Sequence, residues 1–241
     1  MKQTDHAKMV FLIRRRSGVS RDELIMHWFK NHMPAVIDSN RVAQDQNRRG
    51  ASKYIAQLFE NESESQPPWD GVAQLWYREP LPPMNQAAGT NPSDTFQQKA
   101  EPYWNWATKE YVVRDGSERL SIDPLTLNES YPSTRSGFLR LNYLVGVKPN
   151  IDYEEFYKHW LNVHVPNVES HLDGAGGFRY VVSHSIYRDS APYAGMAELY
   201  FENSAGARKF QSNIQPDGME RWIDASRTHV MRGNTEMVGI P

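Results

Sequence analysis

Two histidine pairs stand out by type and spacing. HWFKNHMP (27–34) and HWLNVHVP (159–166) each set two imidazoles five residues apart around a tryptophan, just ahead of a proline. Imidazole titrates near neutrality, so a histidine held beside a ligand can take or deliver a proton. Burial would keep the ring neutral, which is the form a base requires. A hydrogen-bonded core histidine fits the same residues, and the spacing alone leaves both readings standing. A metal is not expected. On an α-helix, H-x4-H turns the two rings about 140° apart, no third ligand stands beside either pair, and the chain has no cysteine to supply a thiolate.

Other chemistries lack their signatures. There is no G-x-S-x-G, phosphate loop or dinucleotide fingerprint, and Gly174, Gly176 and Gly177 read as turn glycines ahead of a strand. The 241 residues carry 27 Lys and Arg against 29 Asp and Glu, a net charge of −2, with 12% aromatic residues. This balance gives a nucleic-acid partner no electrostatic support. No apolar run approaches the ~20 residues of a membrane span, and the N-terminus lacks the apolar stretch of a secretory signal. Cytoplasmic residence is the expectation.

The elements that must position these histidines come in duplicate. Residues 20–38 align with 152–170 at an offset of 132, pairing His27 with His159, Trp28 with Trp160 and His32 with His164. GVAQLWYR (71–78) matches GMAELYFE (195–202) at 124, and ATKEYVVRDGSE (107–118) fits ASRTHVMRGNTE (225–236) at 118. Strands are expected at 8–15 and 138–147, near 52–59 and 178–187, and near 71–78 and 195–202. Ser20-x-x-Glu23 and Asp152-x-x-Glu155 read as capping boxes opening a helix in each copy. A second helix, or a broken pair, is expected over 94–113 and 204–230, and terminal strands near 117–122 and 234–239. The order β-α-β-β-α-β is ferredoxin-like. Two such units, 1–127 and 137–241, joined by a linker at 128–137, predict an α+β chain whose antiparallel sheets pack into an intrachain barrel. The longer first-copy loops, 40–51 and 79–94, read as lids or surface ornament.

Leu24, Trp28 and His32 recur at i, i+4, i+8, as do Phe156, Trp160 and His164, so both stripes face the sheet. His32 and His164 are the candidate catalytic residues. Trp28 and Trp160 are candidates for ligand contact, and so are His27 and His159 on the flank, where a hydrogen bond to backbone is the competing role. Pro34 and Pro166 mark a kink that frees a carbonyl near the histidine. Tyr54 and Tyr180 occupy matching strand positions, as do Trp76 and Tyr200. Alternation puts Trp76 with Val72 and Gln74, and Tyr200 with Met196 and Glu198; which face turns to the helix stays open. Rings beside histidine suit a flat phenolic ligand.

A strand, then S-R-D-E-L, then H-W-x3-H-x-P resembles the EthD-type branch of the dimeric α+β barrel superfamily, over Arg14–Val36 and again over Val145–Val168. The resemblance implies that the fused copies stand in one chain for a dimer of single units, and it nominates the H-x-P histidines, His32 and His164. Superfamily relatives include cofactor-free decarboxylases, cyclases, isomerases and quinone-forming monooxygenases, and some members handle haem. The leading expectation is a cofactor-free lyase that decarboxylates a phenolic or lignin-like aromatic acid. His32 or His164 would move the proton, and Arg14, Arg179 or a tyrosine would hold the carboxylate. The alternatives are a cofactor-free monooxygenase acting on a phenol, and an aromatic-ligand or haem-binding module without turnover. The expected partner is a small aromatic substrate, with a homodimer of the two-unit chain left open.

Overall fold

The computed structural model describes residues 1–60, 68–120 and 131–241. In chain order they form β1 (Lys2–Ile13), α1 (Arg21–His27), a π-helical turn (Trp28–His32), α2 (Met33–Asp45), β2 (Lys53–Leu58), β3 (Gly71–Tyr77), α3 (Thr95–Lys99), β4 (Trp106–Arg114) and β5 (Ser133–Arg135). The second repeat follows with β6 (Leu139–Val145), α4 (Tyr153–His159), a second π-helical turn (Trp160–His164), α5 (Val165–Leu172), β7 (Gly177–Ser185), β8 (Gly195–Phe201), α6 (Ser204–Asn213), β9 (His229–Gly233) and β10 (Thr235–Ile240). Among the described residues, no helix is long and apolar enough to cross a membrane.

The fold is α+β, with antiparallel sheets, and the chain divides into two compact units that cut across the duplicated segments. The N-terminal unit holds Asp5–Ala107, the described part of 122–136, and Thr235–Pro241. Its sheet runs β5-β10-β2-β3-β1. The C-terminal unit holds Met1–Thr4, the described part of 108–121, and Gly137–Asn234. Its sheet runs β9-β6-β8-β7-β4, and β9-β6-β8-β7 is the expected ferredoxin-like order. In each unit the second strand of the repeat would be an open edge, and a strand from the other repeat pairs with it: β10 on β2, β4 on β7.

Several local expectations change. The helix expected over 94–113 shrinks to the five residues of α3, and Trp106–Arg114 is a strand. Thr108, Val112 and Val113, with two aromatic residues, favour extended backbone there. In the second copy α6 ends at Asn213, a short 3₁₀ turn covers Met219–Arg221, and β9 begins at His229. Ser117–Leu120 is a 3₁₀ turn rather than a strand, and Ser133–Arg135 of the expected linker is β5. Residues 121–122 of that strand and 128–130 of that linker lie outside the described residues. The caps form by half: Ser20 accepts the Glu23 N–H at 3.2 Å and Asp152 accepts those of Glu154 and Glu155. The Glu23 carboxylate does not reach back, but takes Lys99 Nζ at 2.5 Å and ties α1 to α3.

The tryptophans of the two histidine phrases are core residues, each 1% exposed. Burying an indole of ~200 Å² contributes roughly 5 kcal/mol. Each indole lies against a glycine that opens β3 or β8. A Cβ at Gly71 would stand 2.6 Å from the Gln57 carbonyl and 3.0 Å from Trp28; at Gly195 it would stand 2.6 Å from the Ser183 carbonyl and 2.9 Å from Trp160. So the repeated phrase and the repeated G-V/M-A block are two halves of one packing arrangement. Gly71→Ala should therefore cost about 1–3 kcal/mol through overpacking, read as a lower urea midpoint at unchanged slope. A midpoint equal to that of the parent would disprove the contact.

Candidate active site

The prolines at 34 and 166 have no backbone N–H, and the helix answers by widening. The Met33 N–H bonds the Trp28 carbonyl and the Val165 N–H that of Trp160, a five-residue step in place of four. Such π turns are often found at functional sites. Here the turn alters the expected angle between the histidines, because residues five apart come to lie near one another. In the C-terminal unit both rings meet one carboxylate: His164 Nδ1 lies 2.7 Å from Asp217 Oδ2, and His159 Nε2 lies 3.7 Å from Oδ1. In the N-terminal unit they meet adjacent residues. His32 Nδ1 is 2.6 Å from Asp94 Oδ2, and His27 Nδ1 is 2.9 Å from Thr95 Oγ1. The partner expected for the flanking histidine was backbone; for His27 it is the threonine hydroxyl.

Asp94 and Asp217 escaped the sequence reading, although a signal was present. The offset between copies falls from 132 to 124 to 118, and the two aspartates stand 123 apart, in step with that decline. Asp94-x-x-Gln97 is also a cap pattern. Asp94 Oδ1 accepts the Gln97 N–H at 2.8 Å at the start of α3, and Asp217 Oδ1 accepts the Met219 N–H at 3.1 Å. Each aspartate thus spends one oxygen on backbone and offers the other to a histidine. A carboxylate only accepts, so the imidazole proton is placed on Nδ1 and the Nε2 lone pair is left free to act as a base. At Asp217 burial works to raise the pKa, but hydrogen bonds from Asn167 and His164 outweigh it and hold the carboxyl below its ordinary value.

The two copies differ in what lies beside the dyad. In the N-terminal unit His32 borders a cavity of about 360 Å³, lined with Trp28, Tyr54, Tyr77, Phe96 and Tyr103 among others. Phe96 packs over the His32 ring with centroids 4.5 Å apart. Burial pushes the phenols of Tyr54, Tyr77 and Tyr103 above their ordinary range, so they stay protonated donors. In the C-terminal unit larger apolar side chains stand at matching positions of the helix and the sheet. Phe201, which stands where Tyr77 does, meets Phe210 of α6 at 5.5 Å, and Leu172 replaces Asn40.

Of the candidates read from sequence, His32, Trp28 and Tyr54 come together at this cavity. His164, Trp160 and Tyr180 occupy the same places in an apolar core. Trp76 and Tyr200 do not join them. Ala73, Leu75 and Tyr77 of β3 and Ala197, Leu199 and Phe201 of β8 are the residues facing the helices, and alternation turns Trp76 and Tyr200 to the opposite face. There Lys8 and Lys53 cover Trp76, while Tyr200 packs on Phe138 and Phe178. Arg14 lies 3.9 Å from Glu101, and Arg179 bonds Asp115 at 2.6 Å. Neither borders the cavity; the arginine that does is Arg49. Among the described residues no cluster of three His, Cys, Asp or Glu side chains could hold a metal ion.

Residues 148–226 match the family model of the EthD domain. No curated protein is significantly similar in sequence. Solved structures are similar over almost the whole chain. An anthrone oxidase-like protein shares 8% identity at a TM-score of 0.52, covering 98% of this chain and 92% of that one. A variant of the chlorite dismutase from Candidatus Nitrospira defluvii shares 8% at 0.52, covering 97% and 92%. A putative chlorite dismutase shares 12% at 0.50, covering 98% and 95%. At these identities the likeness concerns the fold. Residues 148–226 are thus similar to the EthD domain, and the chain shares the α+β fold of these solved structures.

Proposed function

We propose that the N-terminal unit binds a flat, electron-rich aromatic compound and oxidises it with O2, His32 acting as the base. The observation that carries this reading is the free Nε2 of an Asp94-held histidine at a ring-lined cavity. Nε2 takes the proton of a phenol or of a ring CH2 made acidic by its neighbours. The resulting anion gives its electrons to O2. For a CH2 group the sum is CH2 + O2 → C=O + H2O, so the substrate supplies all the reducing equivalents. The apolar walls favour such a ligand by excluding water. The anthrone oxidase-like neighbour shares the fold and is not itself evidence for the reaction.

Decarboxylation fits the cavity less well. A substrate carboxylate needs a cation, but Arg14 and Arg179 lie elsewhere, and Arg49 is paired with Glu79 at 3.2 Å. The residues do not fit a haem either. The cavity beside His32 is small for a tetrapyrrole, it is covered by Phe96, and among the described residues Arg49 is the one arginine at its wall for two propionates. The residues around His164 belong to a buried apolar core that, among the described residues, offers no cation for the propionates.

The test offers the protein anthrone and a set of hydroxylated aromatic acids while O2 and CO2 are followed together. O2 uptake with appearance of the quinone is expected, and it should persist in His164→Ala. CO2 release without O2 uptake would replace this reading with the decarboxylase. Dependence on His164 rather than His32 would move the site to the other copy.

A further inference from the structure

Tyr54 stands in a hydrogen-bond chain that the protein leaves unfinished. The Trp28 Nε1–H donates to the Tyr54 hydroxyl at 2.9 Å, which satisfies the oxygen as an acceptor. Its own O–H still has a proton to give, and among the described residues no protein atom takes it. Both side chains are 1% exposed and both line the cavity, so the hydroxyl has its outlet there. The indole fixes where the oxygen sits and polarises the O–H, strengthening it as a donor. The second copy has the same two residue types in an apolar core. There Trp160 Nε1 and the Tyr180 hydroxyl are buried side by side, short of a well-formed hydrogen bond. In the first copy the pair is closed into a donor, and space is kept beside it.

We propose that the ligand presents a carbonyl oxygen to Tyr54, and that Tyr54, positioned by Trp28, stabilises the oxyanion formed when His32 removes a proton. The substrate class is then an aryl ketone with an acidic C–H in conjugation with the carbonyl, in preference to a simple phenol or an aromatic acid. This rests on the base reading of His32. The proton passes from carbon to His32 Nε2. The C–H electron pair becomes the enolate C=C, the carbonyl π pair settles on oxygen, and Tyr54 keeps its proton while donating to that oxygen. Burial pushes the Tyr54 phenol up, with the Trp28 bond opposing, and so suits it to donate without ionising. Fixed donors aimed at a developing oxyanion are among the strongest means of lowering a barrier.

The test needs no turnover and is run without O2. Anthrone and 9,10-dihydroanthracene share a ring system, but only the first has a carbonyl. The wild-type protein should bind anthrone about tenfold more tightly, as one hydrogen bond allows, and should shift its carbonyl stretch to lower frequency. Tyr54→Phe should erase both the preference and the shift while binding the hydrocarbon as before. Trp28→Phe keeps the Tyr54 hydroxyl but removes its anchor, and should leave both reduced yet present, which separates a lost donor from a mispositioned one. If Tyr54→Phe keeps the preference and the shift, or if the wild type binds both probes alike, the inference falls while the aromatic pocket stands. If the wild type binds neither, the pocket reading falls with it.

Discussion

Asp94→Asn should reduce turnover by about 10²–10⁴-fold, the usual contribution of a positioned acid–base group, and His32→Ala should do as much. The reason lies in the division of labour between the two Asp94 oxygens. Oδ1 caps α3 by accepting the Gln97 N–H, and Oδ2 meets His32 Nδ1. An asparagine that keeps the cap must turn its NH2 toward His32. Nδ1 then becomes the acceptor, the proton moves to Nε2, and the lone pair that the base requires is gone. The fold keeps its cap, since Asn and Asp serve about equally as N-cap residues. The loss should fall on kcat more than on KM, with thermal midpoint near that of the wild type. Steady-state kinetics over a range of pH, with melting on the same preparations, will check it. Turnover within a few-fold of wild type would show that the tautomer does not matter and that His32 is a core residue after all.

Acid should weaken the fold well before the carboxylates titrate, and His184 is the reason. It stands at the position of Leu58 in the first repeat, each opposite the opening glycine of the neighbouring strand. The ring stacks on Tyr157 at 4.1 Å and packs by Trp160 at 4.9 Å, and its Nε2 is buried with no partner. Burial first, then the charges of Lys109 and Arg188, push its pKa from 6.5 down to about 3. The unfolded chain therefore binds a proton that the folded chain refuses between those values. Stability is fully present above about pH 6.5, and falls by up to about 1.4 kcal/mol per pH unit as pH drops toward the folded value. Across the window that amounts to about 5 kcal/mol at most. Asp217, whose pKa is also lowered, adds a loss only below the ordinary carboxylate range. Urea unfolding at a series of pH values should show the decline, and His184→Phe, which keeps a stacked ring, should flatten it above the carboxylate range. An equal decline in both proteins would assign the acid sensitivity elsewhere.

The repeated phrase was legible because duplication wrote it twice with little change, and the fold followed from alternating strands and paired caps. What could not be read was set by contacts between distant segments. Trp76 and Tyr77 are neighbours with equally aromatic side chains, and only the register of β3 against β1 and β2 decides which one reaches the helix side. The glycines at 71 and 195 looked like repeat letters until Trp28 and Trp160 were found lying on them. Asp94 sat in a loop that the sequence could describe only as lid or ornament, because no local pattern says which helix a cap's second oxygen will face. His184 carried no repeat signal, since its counterpart is a leucine.

The edge strands have a consequence for how the protein can be made and remade. β10 pairs with β2, and Gly239 within it leaves no room for a side chain, since a Cβ would come within 2.8 Å of the Tyr54 ring. A nascent chain that has emerged only through the first repeat has a bare β2 edge and lacks the wall behind Tyr54. The backing of Tyr54 is completed by the last strand of the second repeat, long after the histidine at the cavity has been synthesised. Until then an exposed strand edge is open to wrong partners. For the same reason neither repeat is a module that recombination could lift out intact: the ancestral copies have become mutually obligatory, each supplying the strand that finishes the other's sheet.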